Sequence, residues 1–245
     1  MRKIYFALLA ITFAACAELS TIMETYDIDV PLTEYEVSGG LKEALRVGTD
    51  SAATRLGALN GYYGDELVKI MLPEEASIIV DNISKIPGGN KLVEDVVIRI
   101  NRAAEDAAKE AGPVFWRAIK NMTITDAFNI LNGGEKAATD YLHKHTYNEL
   151  FKLYNPKIQT SLDKEIVAGI STNESWESLT GRWNTIAESP IGQFADLKAV
   201  KTDLNAYLTE KALDGLFVKI AQQEKLIRED PVARVNDILK RVFGS

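Results

Sequence analysis

The chain is poor in the residues and patterns that most protein chemistry depends on. Among its 245 residues there is one cysteine, Cys16. No intramolecular disulfide can form, and a structural zinc site built on cysteines is excluded. There are two histidines, His143 and His145. On a helix, a spacing of two points them in different directions, so they do not make a metal pair. The sequence has no HExxH, no G-x-S-x-G elbow, no P-loop, no GxGxxG and no EF-hand loop. Neither a metal nor a cofactor is expected. Basic charge is also short: 28 Lys and Arg stand against 35 Asp and Glu, a net charge of −7. That argues against a nucleic-acid partner, which would call for a basic face. β-branched residues are few and apolar/polar alternation never persists, so no strand is predicted. No apolar run reaches the ~20 residues needed to span a bilayer.

The start of the chain is distinctive. Met1-Arg2-Lys3 is basic, Ile4–Phe13 is apolar except for Thr12, and Ala14-Ala15-Cys16 follows. This is the layout of a secretory signal. A cysteine directly after two alanines is similar to a bacterial lipoprotein signal, in which cleavage leaves a lipidated cysteine first. Phe13 stands where leucine is more usual. Residues 1–15 are therefore expected to be removed, Cys16 to be lipidated, and 16–37 to form a tether. Several acyl chains, at ~0.8 kcal/mol per buried methylene, would hold the protein on a membrane.

From residue 38 onward the apolar spacing is helical, and an all-α, multi-helix bundle of about ten helices in a single domain (38–245) is predicted. Ser38 is placed as the cap of a helix running to about Asn60, stopped by Gly61. Pro73-Glu74-Glu75 opens a helix that Pro87-Gly88-Gly89 ends. Residues 90–111 carry the stripe Leu92, Val96, Ile100, Ala103 and Ala107, with Glu94, Asp95, Arg99, Arg102, Asp106 and Lys109 opposite. Short helices at 114–121 and from Thr123 follow, the second with Asp126 completing a capping box. Residues 135–154 form a longer helix, and Asn155-Pro156 is expected to open a separate one to about Val167. Residues 169–173 are read as a loop, and 173–187 as a helix with Trp176 and Trp183 in the core. A long helix runs from Asp203, and Asp230-Pro231 restarts a last one.

One residue breaks the pattern of the long helix. Glu224 falls on the apolar side, between Ile220 and Ile227. A buried carboxylate needs a cation or a proton. Arg228, four residues on, can share its face, and Arg234 or Arg102 could be a second partner. The favoured role is an ion pair tying this helix to a neighbour; the other is a ligand-orienting or acid–base carboxylate. Asn101, Arg102 and Glu105 lie mainly among other charges and are expected on a solvated face. Asp126 reads as a helix-start residue rather than a catalytic acid.

Three stretches, GLKEALRVGTDSAATRLG (40–57), NRAAEDAAKEAGPVFWRAIKNMTITDAFNILNGGEKAATDYL (101–142) and ALDGLFVKIAQQEKLIREDPVARVNDILKRVFG (212–244), together resemble domain-of-unknown-function family 4197. The resemblance implies a single all-helical domain in a bacterial, often lipid-anchored, envelope protein. It carries over no catalytic or ligand residues. The expected function is that of a membrane-anchored, non-enzymatic envelope protein, periplasm-facing or on the outer-membrane surface, that binds a protein or a small apolar ligand. The rival is a hydrolase-like enzyme using Glu105, Asp126 or Glu224 in a cleft between helices. A purely structural envelope component is a third possibility.

Overall fold

Ten-residue stripes of small and branched apolar side chains set the first long helix, α1 (Glu34–Gly57). In the computed structural model, residues 32–77, 80–81, 89–167, 170–230 and 240–242 are described. The chain divides into two units at Thr33/Glu34, and all elements below belong to the second. α1 begins at Glu34, four residues before the predicted cap. Ser38 lies inside it and is buried. The tether expected to reach residue 37 is thus helical over its last turn: Glu34 and Glu36 in the first turn suit the positive end of the helix dipole.

A loop with a 3₁₀ turn at Glu74–Ala76 leads toward α2 (Gly89–Ala108). The rest of the helix predicted after Pro73 lies largely outside the described residues. α2 buries Val96, Val97, Ile100, Ala103, Ala104, Ala107 and Ala108. α3 (Gly112–Asn121) and α4 (Ile124–Leu131) follow. Thr123 caps α4, and the Thr123–Asp126 capping box is present in full.

α5 (Ala137–Asp163) is one helix, not two, and Pro156 lies inside it. Proline removes one N–H and leaves the carbonyl four residues earlier without its helical partner. That carbonyl belongs to Lys152, an exposed residue, and Pro156 is itself exposed, so water can serve it. The inner face continues unbroken through Leu150, Tyr154, Ile158 and Leu162, all buried. Core packing outweighs the local break signal.

A small antiparallel pair, β1 (Glu165–Val167) and β2 (Ile170–Ser171), replaces the predicted helix end at 165–167 and part of the predicted loop at 169–173. It is too short to show as alternation. Ser171 then caps α6 (Thr172–Ala187) in a capping box with Glu174. The five-residue α7 (Pro190–Phe194) is capped by Ser189. Asp203 accepts from the Ala206 N–H and starts α8 (Leu204–Glu229). Most of the predicted last helix lies outside the described residues; Val242 is buried.

The result is an all-α bundle. α8 packs on α5 and α1, α2 packs on α5 and α1, and α3 and α4 lean on α1 and α5. The core between them holds Leu56, Ile100, Phe115, Leu142, Leu150, Leu208, Leu213 and Leu216, with Trp176 at its edge. Among the described residues no helix is long and apolar enough to cross a membrane.

Candidate functional site

The N-terminus of α5 has no cap of its own. Lys136 occupies the cap position and makes no side-chain cap bond. The first N–H groups of a helix have no partner within it, and here they point into the bundle. Glu224 of α8 supplies the acceptors. Its Oε1 accepts from the Ala138 N–H at 3.0 Å, and its Oε2 from the Thr139 N–H at 2.9 Å and the Thr139 hydroxyl at 2.8 Å. Glu224 thus acts as a helix cap delivered from another helix, at the positive end of the α5 dipole. Its residue surface is 8% exposed.

Arg228, one turn further along α8, completes the arrangement. Its Nε and Nη2 donate to Glu224 Oε1 at 3.0 and 2.9 Å. Nη2 also donates to the Ile130 carbonyl at 2.9 Å, and Nη1 to the Leu131 carbonyl at 3.5 Å. Those carbonyls end α4. The carboxylate therefore serves the helix that starts and the guanidinium serves the helix that stops, and the turn at 132–136 is held from both sides. Arg102 takes no part in this site. Arg234 lies outside the described residues.

A second carboxylate of the same kind sits on α2, where a solvated face was expected. Glu105 is 4% exposed and Asn101 fully buried. Glu105 Oε1 accepts from the Tyr62 and Tyr63 N–H groups, both at 3.2 Å, and Oε2 from Arg102 at 2.5 Å. Arg102 also donates to the Asn60 side chain at 2.6 Å. Asn101, one turn earlier, accepts from the Ile70 N–H at 2.8 Å and donates to the Ile70 carbonyl at 2.8 Å. The polar residues of α2 thus organise the loop after α1. Its Tyr62 is fully buried and donates to the Ala212 carbonyl of α8 at 2.6 Å. A clue lay in the sequence: Val97, Ala104 and Ala108 share the side of α2 that carries Asn101 and Glu105. The surrounding charges masked it.

Asp126 is used locally. Its Oδ2 accepts from the Thr123 hydroxyl at 2.7 Å and the Thr123 N–H at 3.0 Å. Those bonds hold its carboxyl below the usual carboxylate range. The three acids named for a catalytic cleft therefore have separate partners, and the cleft that Glu224 lines is lined by neither Glu105 nor Asp126. His143 lies against the Tyr147 and Phe217 rings and His145 against Tyr141. Among the described residues no cluster of three His, Cys, Asp or Glu could hold a metal.

Beside Glu224 lies a narrow cleft of about 30 Å³ between α1, α5 and α8. Leu41, Ala44, Leu45, Leu142, Ile220 and Ile227 make most of its wall, with Gly48 and Thr49. Glu224 and Arg228 form its polar edge. Such a cleft is apolar as ligand sites usually are, but far smaller than they are.

Fold and site together define an all-helical bundle protein in which buried carboxylates organise backbone and an apolar cleft adjoins one of them. The chain matches the family described as "Protein of unknown function (DUF4197)" over residues 31–244, and it belongs to that family. Comparison with curated proteins gives no match, and comparison with solved structures gives none.

Proposed function

We propose that this protein is a lipid-anchored bacterial envelope protein whose helical body is a non-enzymatic binding module for a slender apolar ligand, which enters where the apolar cleft between α1, α5 and α8 opens. One observation carries the choice of binding over catalysis. Both oxygens of Glu224 already accept from Ala138, Thr139 and Arg228. An acid or base catalyst needs a lone pair or proton directed at substrate, and this carboxylate has its capacity filled by structure. The apolar wall beside it suits burial of a hydrocarbon surface, worth roughly 25 cal/mol per Å² removed from water. The lipoprotein-like run ending Ala14-Ala15-Cys16 supports the envelope location, and the acidic composition (net −7 for the full sequence) leaves anchoring to a lipid on Cys16 rather than to attraction by anionic headgroups.

Native mass spectrometry of protein purified from its own host tests the module. The expected spectrum shows a small apolar molecule retained on the wild type. A bare wild-type protein would remove the binding reading. Separately, Cys16→Ala is expected to leave the membrane fraction; recovery there as for wild type would remove the lipid anchor.

A further inference from the structure

Single apolar side chains on a protein surface are ordinary. Those at the α6–α7 corner are grouped. Ile186 is 55% exposed, Ile191 80% and Phe194 95%. Ile191 and Phe194 are three apart on α7 and share a face.

The corner is firmly built. The Ser189 hydroxyl accepts from the Gly192 N–H at 3.1 Å, and Pro190 presets the first turn of α7. Gly192 is buried on the opposite side, where a Cβ would lie 2.1 Å from the Ile186 carbonyl oxygen. Only glycine permits that approach. The Leu197 N–H closes the turn on the Gly192 carbonyl at 2.9 Å. Behind the corner, the half-buried Trp183 donates from Nε1 to the Lys198 carbonyl at 2.9 Å. Exposed Glu188, Asp196, Lys198 and Lys201 border it, two of each sign.

We propose that Ile191 and Phe194, backed by Ile186, form a wedge that enters the interfacial region of a lipid bilayer and sets the orientation of the tethered body. This rests on the lipid-anchor reading above. Extended, the residues between Cys16 and Glu34 reach roughly 50–60 Å. That exceeds the roughly 45 Å diameter of a body this size, so a tether alone leaves its orientation open. It also keeps the body at high effective concentration beside the bilayer, where a small apolar contact suffices. Side chains standing this far clear make a projecting tip. Such a tip offers a stable protein partner too little area, but it suits insertion among headgroups. The balanced border charges make the contact insensitive to salt.

The test uses the full lipidated protein in phosphatidylcholine vesicles doped with brominated phosphatidylcholine. Phe194→Cys, labelled with nitrobenzoxadiazole, is compared with labelled Leu59→Cys, a side chain 76% exposed elsewhere on the surface. Quenching by the brominated chains is expected at 194 and not at 59, unchanged by salt. Adding Ile191→Ser is expected to lower the docked-to-undocked ratio about tenfold. Equal quenching at both positions overturns the wedge, as does shielding at 194 that rises with protein concentration, which marks a second copy. Intact-mass analysis of the same preparation reads the lipid on Cys16. If Cys16 is bare, the anchor reading fails by itself. The wedge is then judged by the same two labels in a Cys16→Ser background with vesicles added from outside.

Discussion

Glu224 and Glu105 solve the same problem in two parts of the molecule. Each sits on a long helix, accepts from two consecutive backbone N–H groups of another segment, and pairs with an arginine on its own helix. They differ in what they hold and how dry they are. Glu224 caps a helix, and its arginine side chain is 20% exposed; Glu105 pins a loop, and its arginine is 35% exposed. A buried carboxylate is tolerated where backbone donors surround it. What removing it costs depends on how much water its cation keeps.

The largest expected effect breaks this comparison directly. Glu224→Ala leaves two α5 N–H groups without their acceptor and a largely buried guanidinium without its carboxylate, and should cost about 3 kcal/mol or more in urea unfolding. Glu105→Ala should cost less, about 2 kcal/mol, because Arg102 remains hydrated. Arg228→Ala should cost less than Glu224→Ala, since the carboxylate keeps its Ala138 and Thr139 donors. Equal losses for Glu224→Ala and Arg228→Ala would mean that the ion pair, not the cap, dominates.

Two helical glycines sharpen the contrast further. A Cβ on Gly215 would lie 2.8 Å from the Tyr62 ring and 3.2 Å from Val68 Cβ, on the Glu105 side. Gly215→Ala should destabilise by about 1–3 kcal/mol despite its better helix propensity. A Cβ on Gly48, on the Glu224 side, meets Gln223 and Ile227 at 3.6 and 3.7 Å, ordinary contacts. Gly48→Ala should stabilise by about 1 kcal/mol. Thermal melts of the two variants should therefore move in opposite directions.

The buried tyrosines give a smaller, similarly divided effect. Tyr62 donates to Ala212, so Tyr62→Phe should cost about 1 kcal/mol. Tyr154 Oη is buried with no hydrogen-bond partner among the described residues, so Tyr154→Phe should be neutral or stabilising. Burial pushes both phenols above their ordinary range. Denaturant midpoints decide the pair.

Acid should act weakly on both sides. The Lys219 ammonium beside Asp65, near the Glu105 loop, holds that carboxyl below its usual range, and Thr123 does so for Asp126, at the start of the helix that Arg228 closes. A depressed folded-state pKa stabilises above the unfolded value of ~3.9, and the contribution is lost as pH falls through the folded value. Asp65→Asn and Asp126→Asn should each lose less stability than wild type when the melt is moved from pH 5 to pH 3. A loss equal to wild type would show that other carboxylates govern acid unfolding.

The Thr123–Asp126 box, the start at Asp203 and the inward face of Trp176 were legible because each depends on residues within a turn or two. The same spacing put Glu224 on the apolar side. Pro156 misled because a local break signal is weaker than four buried side chains on the opposite face. Glu105 was hidden because charged residues surround it in sequence, among them the exposed Asp106, and only the loop at 62–63 gives it a reason to be inside.

Helix periodicity, the local caps at Thr123 and Asp203 and the acidic composition are properties of neighbouring residues, and for them the sequence sufficed. Which backbone a carboxylate serves is a property of tertiary packing. Glu224 meets Ala138 and Thr139 across 86 and 85 residues, and Glu105 meets Tyr62 and Tyr63 across 43 and 42. Helical spacing can show that a charge is buried. Only the packed bundle decides which unpaired N–H groups lie within hydrogen-bond reach of it.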